Sequence, residues 1–237
     1  MGPSWARLAR DQRKILVPTA GCVFVTLDYQ QQEPAIALYF AGDESLLQAY
    51  ESDDLYSHLE GLIGGDLGRD LTKKLVISYQ YGATANTLMR KFGMPRREAA
   101  VILDKLDNLF AIYRKWSDQY LQTAYATKRV FCLDWQMAVH PGTPIRTVRN
   151  WPIQAAGADI LRRVCLSMDA ADIPIVGCLH DSVMLEIPLA DYEATIERAV
   201  RLMGDASAEV LEGFRLKIAV ERTAFPPGYS LGGQAHG

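Results

Sequence analysis

Apolar runs that deliver carboxylates to their ends constrain this chain more than any other feature. Cys22-Val23-Phe24-Val25-Thr26-Leu27 runs into Asp28, while Ile175-Val176-Gly177-Cys178-Leu179 and Val183-Met184-Leu185-Glu186-Ile187 enclose a tight turn that contains Asp181. Short β-branched and apolar runs of this kind read as strands, and two runs joined by a tight turn read as a hairpin. If all three lie in one sheet, Asp28 and Asp181 can be brought together. Two acidic groups sharing a site repel unless divalent cations neutralise them, and magnesium prefers such hard oxygen ligands. The expected site is therefore a metal site, of the kind that in two-ion form serves phosphoryl transfer.

Phosphate ligands would have to come from elsewhere. Arg69, Lys73, Ile77 and Tyr81 recur every four residues, so on a helix they form one slowly drifting stripe. Cations at one end and an aromatic at the other suit a triphosphate and a base. An amphipathic surface helix with two solvated cations is the plainer reading of these residues taken alone.

Four segments in one order carry a resemblance. Asp28-Tyr29-Gln30-Gln31-Gln32-Glu33 resembles motif A of the family A DNA polymerases, the relatives of bacterial DNA polymerase I, which reads Asp-Tyr-Ser-Gln-Ile-Glu. The stripe Arg69, Lys73, Ile77, Tyr81-Gly82 is similar to their motif B, on the fingers helix that meets the incoming nucleotide. His180-Asp181 matches the start of motif C, His-Asp-Glu, and Asn150-Trp151-Pro152-Ile153-Gln154 resembles the family segment Asn-x-Pro-x-Gln. The similarity runs from about Arg13 to about Leu231. Departures accompany it: Ser182 stands where the family has a carboxylate, Ile77 where it has Phe or Tyr, and Pro34-Ala35 where it has Leu-Arg. His-Asp-Ser and Thr72-Lys73 also resemble the single-subunit phage RNA polymerases, whereas Glu33 and the segment from Asn150 to Gln154 side with the DNA enzymes.

The resemblance implies an α+β fold: a right-hand polymerase palm, built as an antiparallel sheet with helices, plus helical fingers. It divides the chain into a first palm segment at 1–42, fingers at 43–127 and a second palm segment at 128–237. Only 27 residues precede Asp28, so a thumb and an exonuclease-like domain are expected to be absent. A separate chain supplying them is one possible partner. Arg7, Arg10, Arg13 and Lys14 are read as the end of a palm strand or a basic DNA contact.

It also implies roles. Asp28, Asp181 and the backbone carbonyl of Tyr29 would hold two Mg2+ ions, with the aspartates as the catalytic pair. Arg69 and Lys73 would bind the triphosphate, Ile77 and Tyr81 would line the nucleotide site, and Glu33 would exclude a 2′-hydroxyl. Arg146, Asn150, Gln154 and His180 would touch primer and template. The implied activity is template-directed DNA synthesis on primer-template DNA from deoxynucleoside triphosphates, in replication or repair. A catalytically weak DNA-binding subunit and an RNA polymerase-like enzyme are the alternatives.

Composition fits a well-cored protein. The 237 residues are 49% hydrophobic and carry a net charge of −3, with a pI near 5.8, which by itself argues against nucleic acid. The charge is polarised, however. Residues 69–97 hold seven Lys or Arg and one acidic residue, and residues 43–60 hold six acidic residues and no Lys or Arg. Such a surface can steer a polyanion to one side. Cys22, Cys132, Cys165 and Cys178 lack metal spacing and read as reduced thiols. His58, His140 and His236 are isolated. No apolar run reaches the roughly 18–20 residues a membrane span needs, and a cytoplasmic location is expected.

The pattern further predicts a strand at 22–28, a helix near 33–40, helices within 43–63, and a helix at 68–80. A long helix from about Pro95 to Trp116, a hairpin at 128–139 and a helix opening at Asn150-Trp151-Pro152 should follow. The expected end of the chain is a hairpin at 175–187, a helix at 189–204 and a closing strand at 214–220.

Overall fold

A computed structural model describes residues 16–224; the cations at Arg7, Arg10, Arg13 and Lys14 lie outside the described residues. The described residues fall into two compact units, one formed by residues 16–30 and 157–224 and the other by residues 31–156.

The first unit holds a four-stranded sheet: β1 (Cys22–Tyr29), β4 (Ile175–Leu179), β5 (Ser182–Pro188) and β6 (Ile218–Ala224), in the order β4-β5-β1-β6. Every pairing is antiparallel. The palm-like sheet inferred from the resemblance is thus present. Alternation fixes its register. Val23, Val25, Leu27 and Tyr29 are fully buried, and so are Val183, Leu185 and Ile187 on the strand opposite. The ladder pairs Val23 with Ile187, Val25 with Leu185 and Leu27 with Val183. A one-residue slip would turn this whole set outward. Helix α9 (Tyr192–Val210) packs on the sheet, and its Met203 carbonyl accepts a 2.6 Å bond from the buried Tyr29 hydroxyl. A 3-10 turn, Leu189–Asp191, precedes it.

The second unit is helical. Its elements are α1 (Gln32–Ala41), α2 (Glu44–Ser52), α3 (Leu55–Ile63), α4 (Arg69–Gln80), α5 (Ala85–Phe92), α6 (Arg96–Leu109) and α7 (Ala111–Thr127), followed by the hairpin of β2 (Arg129–Cys132) and β3 (Trp135–Ala138). Asp43 and Asp54 cap α2 and α3 by accepting from the amides of Leu46 and Ser57, each cap contributing about 1 kcal/mol. Rings of Tyr79, Phe110, Tyr113, Trp116 and Tyr120 form a chain with successive centroids 5.6–6.5 Å apart, and Phe40 stacks on Trp116 at 6.0 Å. Helix α8 (Ile145–Asp169) belongs to both units, since the division falls after Ala156.

Four boundaries differ from expectation. The long helix after Pro95 is two helices, broken at Phe110 (φ −101°, ψ 27°). The break costs little, because the Phe110 amide still reaches Leu106 O and its carbonyl still accepts from Arg114. In return the ring is fully buried, a gain of about 1.5–3 kcal/mol. The helix expected to open at Asn150 begins at Ile145, so Pro152 is interior. Its first amides, at Thr147 and Val148, bond to the Pro144 carbonyl, which makes Pro144 the true start signal. Helix α9 runs past Gly204 to Val210, since that glycine is buried in a helical conformation and does not act as a terminator. The last strand consequently begins at Ile218.

Candidate active site

In the first unit the two aspartates come together as the sequence predicts. Asp28 pairs across the β1–β5 ladder with Ser182, the neighbour of Asp181, and the Tyr29 amide donates to the Asp181 carbonyl at 3.0 Å. Adjacent strands lie about 4.8 Å apart, and Asp181, in the turn that leads into β5, stands one position out of direct opposition to Asp28 on β1. Both are partly buried. His180 and Asp181 are the only residues between β4 and β5, and the tight reversal forces His180 to φ 55°, a left-handed conformation that costs a non-glycine residue about 1 kcal/mol. The His180 side chain is exposed.

Ser182 is buried and its hydroxyl donates to Leu179 O at 2.9 Å, closing the turn it follows. No group of three or more His, Cys, Asp or Glu suited to a metal is found among the described residues. Two carboxylates and a main-chain carbonyl are nonetheless a hard-oxygen set of the kind that suits Mg2+, which keeps several of its own waters.

In the second unit, α4 carries the four-residue stripe. Arg69 is exposed and donates through Nε and Nη2 to both oxygens of Asp54, at 3.0 and 2.7 Å. Burial works to raise the Asp54 pKa, but the bonds from Arg69 and from the amide and hydroxyl of Ser57 outweigh it and hold the carboxyl at about 2. Its bond to Asp54 in turn raises the pKa of Arg69. Gln31 also donates to Asp54. Lys73 lies one turn on, and both cations approach the Tyr56 ring, at 5.7 and 6.0 Å from its centroid. Ile77 is half-buried.

Tyr81 ends the stripe as the residue that closes α4. Its hydroxyl donates to Glu33 Oε2 and accepts from Gln154 Nε2, each at 3.0 Å. Burial first, then the charge of Glu33 and the bond to it, push the phenol up to about 12. Three predicted residues, 48 and 73 positions apart in chain, thus share one hydroxyl. Arg146 is exposed, while Asn150 is buried and spends an amide N–H on the Arg146 carbonyl at 3.0 Å.

Sequence reasoning missed Asp54, which ties Gln31, Ser57 and Arg69 together. Its helix-capping position before Leu55-Tyr56-Ser57 is readable; its partnership with Arg69 is not.

The family model for DNA polymerase family A matches residues 3–223. This chain belongs to DNA polymerase family A. Among curated family A relatives, it is 25% identical to DNA polymerase I of Chloroflexus aurantiacus, over 92% of this chain and 25% of that protein. It is 24% identical to DNA polymerase I of Aquifex aeolicus, over 89% of this chain and 40% of the relative. The chain therefore spans about a quarter to two-fifths of these two relatives. Its fold resembles that of the POL domain of Pol1 from M. smegmatis, solved in complex with DNA primer-template and dNTP, with a TM-score of 0.79 and 20% identity, covering 92% of this chain and 43% of that one. Among the described residues, no helix of this family A chain is long and apolar enough to cross a membrane.

Proposed function

We propose that the chain is the catalytic core of a template-directed DNA polymerase that adds deoxynucleotides to a primer 3′-hydroxyl. The observation that carries this reading is the juxtaposition of Asp28, near the end of β1, with Asp181, in the turn that leads into the strand paired with β1, in a chain of this family. On this reading the two carboxylates and the Tyr29 carbonyl hold two Mg2+ ions. Such ions lower the pKa of an attacking hydroxyl and stabilise a leaving pyrophosphate.

The remaining work falls to side chains. Arg69 gives one edge of its guanidinium to Asp54, and its Nη1, 4.0 Å from the exposed Asp70 carboxylate, is the nitrogen that would turn to phosphate oxygens, a planar fork that suits phosphate. Lys73 adds a point charge one turn along. Glu33, held by Tyr81 and by its place in the first turn of α1, limits room for a ribose 2′-hydroxyl, with Ile77 as an apolar wall. Gln154, Arg146, Asn150 and His180 act on primer and template. Residues 43–127 serve as fingers and the flanking segments as palm.

Ser182 supports a second reading, a slow enzyme or a DNA-binding subunit, because its hydroxyl is committed to Leu179 O and cannot act as a carboxylate. Primer extension with deoxynucleotides and ribonucleotides in parallel separates the readings. Extension with deoxynucleotides that is abolished in Asp28→Ala and Asp181→Ala supports the polymerase. DNA binding without extension by the parental chain defeats it.

A further inference from the structure

Two thiols face each other in the sheet unit. Cys165, on the part of α8 that belongs to that unit, and Cys178, on β4, place their sulfurs 3.6 Å apart. The connection between the two elements brings this about. Residues 170–174 reverse the chain within a few positions, with the Met168 carbonyl accepting from the amides of Ala171 and Ile173, so the end of the helix returns directly into the strand. Both cysteines are partly exposed, within reach of a small solute, whereas Cys132 is buried and its thiol donates to Pro152 O at 3.3 Å. Sulfurs at the Cys165–Cys178 distance need only about 1.5 Å of approach to reach the roughly 2 Å of a disulfide. Zinc would require about four ligands, and no group of three or more His, Cys, Asp or Glu suited to a metal is found among the described residues. The chemistry on offer is that of a dithiol.

The two sulfurs differ in readiness. Burial first, then the hydrogen bond to Cys165 and the charge on it, push the Cys178 thiol up to about 11, so Cys178 keeps its proton until its partner has reacted. Movement at Cys178 also has a path. Among the described residues β4 is an edge strand bonded to β5 alone, and its register with β5 shifts between Ile175 and Gly177, an irregularity that bends a strand. Beyond Cys178 the coupling is tight. Leu179 pairs with Ser182 and its carbonyl accepts from the Ser182 hydroxyl, with His180 and Asp181 between them, so a shift at Cys178 is carried straight into that turn.

We propose that Cys165 and Cys178 form a reversible redox-active dithiol, whose closure by a low-molecular-weight disulfide cross-links α8 to β4 and displaces the turn that carries Asp181. The Cys165 thiolate attacks one sulfur of the small disulfide RSSR and breaks its S–S bond; one RS⁻ leaves, takes up the proton that Cys165 lost, and a mixed disulfide remains on Cys165. Cys178 then gives up its proton, attacks the Cys165 sulfur and expels the second RS⁻, which takes that proton. Two electrons pass from the protein to RSSR, which ends as two RSH, and an excess of RSH runs the steps backwards. The dithiol stands on the sulfur geometry; its effect on nucleotide incorporation rests on the function proposed above.

The test equilibrates the chain in glutathione buffers of rising oxidised-to-reduced ratio, then quenches in acid, alkylates the remaining thiols and maps them by mass spectrometry after cleavage at Asp169 and Asp172, which lie between the two cysteines. Cys165 and Cys178 should lose reactivity together, as one linked pair of peptides, while Cys22 and Cys132 stay alkylated. Cys178→Ser should trap glutathione on Cys165 instead. Primer extension by the oxidised parent should fall about 10- to 100-fold, the scale of an ångström displacement at a reacting centre, and recover with dithiothreitol. Cys165→Ser, which cannot close, should extend equally in both buffers. Independent loss of the two thiols, or a parent whose thiols stay reactive at every ratio, overturns the dithiol. A linked pair with extension unchanged overturns the displacement of the turn. A chain that extends primers and never closes refutes the dithiol and spares the polymerase. One that closes and reopens but extends nothing when reduced keeps the dithiol and refutes the polymerase.

Discussion

The sheet unit and the helical unit hold their functional residues by different means. In the sheet, Asp28 and Asp181 owe their juxtaposition to backbone bonds: the β1–β5 ladder and the Tyr29 amide on the Asp181 carbonyl. In the helical unit the side chains hold one another, as in the Arg69–Asp54 fork and the Glu33–Tyr81–Gln154 hydroxyl. The first arrangement should survive loss of the functional side chain itself. The second should not, because each residue removed takes away the bond that orients its partner, although at these exposed positions water replaces the lost bond and the cost falls on geometry more than on stability.

The largest expected effect tests the first half of that contrast. Asp28→Ala or Asp181→Ala should lower single-nucleotide incorporation by at least about 10³-fold, since electrostatic stabilisation of a charged transition state is lost, while melting temperature and DNA affinity stay close to parental. Near-parental extension by either variant would remove the metal assignment. By contrast, Leu27→Ala, one residue earlier and fully buried, should cost about 2–5 kcal/mol of stability, measured by urea denaturation. A loss under 1 kcal/mol would mean that the ladder, and not the packing beneath it, carries the strand.

The helical unit should respond at its bonds. Glu33→Ala should raise ribonucleotide use relative to deoxynucleotide use in competition assays, and Tyr81→Phe should do so in part, because Glu33 then loses its tether. An unchanged ratio in both would leave Glu33 with a structural role alone.

Smaller is the acid response of Asp54. Its folded pKa of about 2 lies below the ordinary value of 3.8, so its contribution is present above pH 3.8 and lost as pH falls towards 2. Arg69 is 47% exposed, which limits that contribution to about 1 kcal/mol. Asp54→Asn should flatten this part of the stability profile, and an identical acid limb in parent and variant would show that the fork is idle. Smallest of all, His180→Gly should relieve the left-handed turn and leave stability equal or up to about 1 kcal/mol higher; a clear loss in thermal denaturation would give the imidazole a structural partner.

Legibility in the sequence follows the same division. Val23, Val25 and Leu27 alternate with a period of two, and the hairpin partner does likewise, so the pairing that joins Asp28 to the Asp181 turn could be read in advance. The caps at Asp43 and Asp54 and the hairpin at 129–138 follow from local residue chemistry as well. Helix α5 escaped notice because its signal is the reciprocal Thr84–Thr87 box, with neither an acidic residue nor a Pro to mark it. Pro152 drew the start of α8 towards itself although Pro144 supplies the first carbonyl. The Asp54–Arg69 fork joins residues fifteen apart on different helices, and no periodicity encodes which carboxylate a particular guanidinium will meet.

The shared hydroxyl of Tyr81 has a consequence for inheritance. Glu33 accepts from it, Gln154 donates to it, and each requires it in a definite role. A lineage that replaced tyrosine there by phenylalanine would leave the carboxylate and the amide without the hydroxyl that joins them, so change at these positions is expected in concert. Positions 33, 81 and 154 should therefore drift as a trio among descendants of this chain, a correlation that spatial contact leaves in protein families.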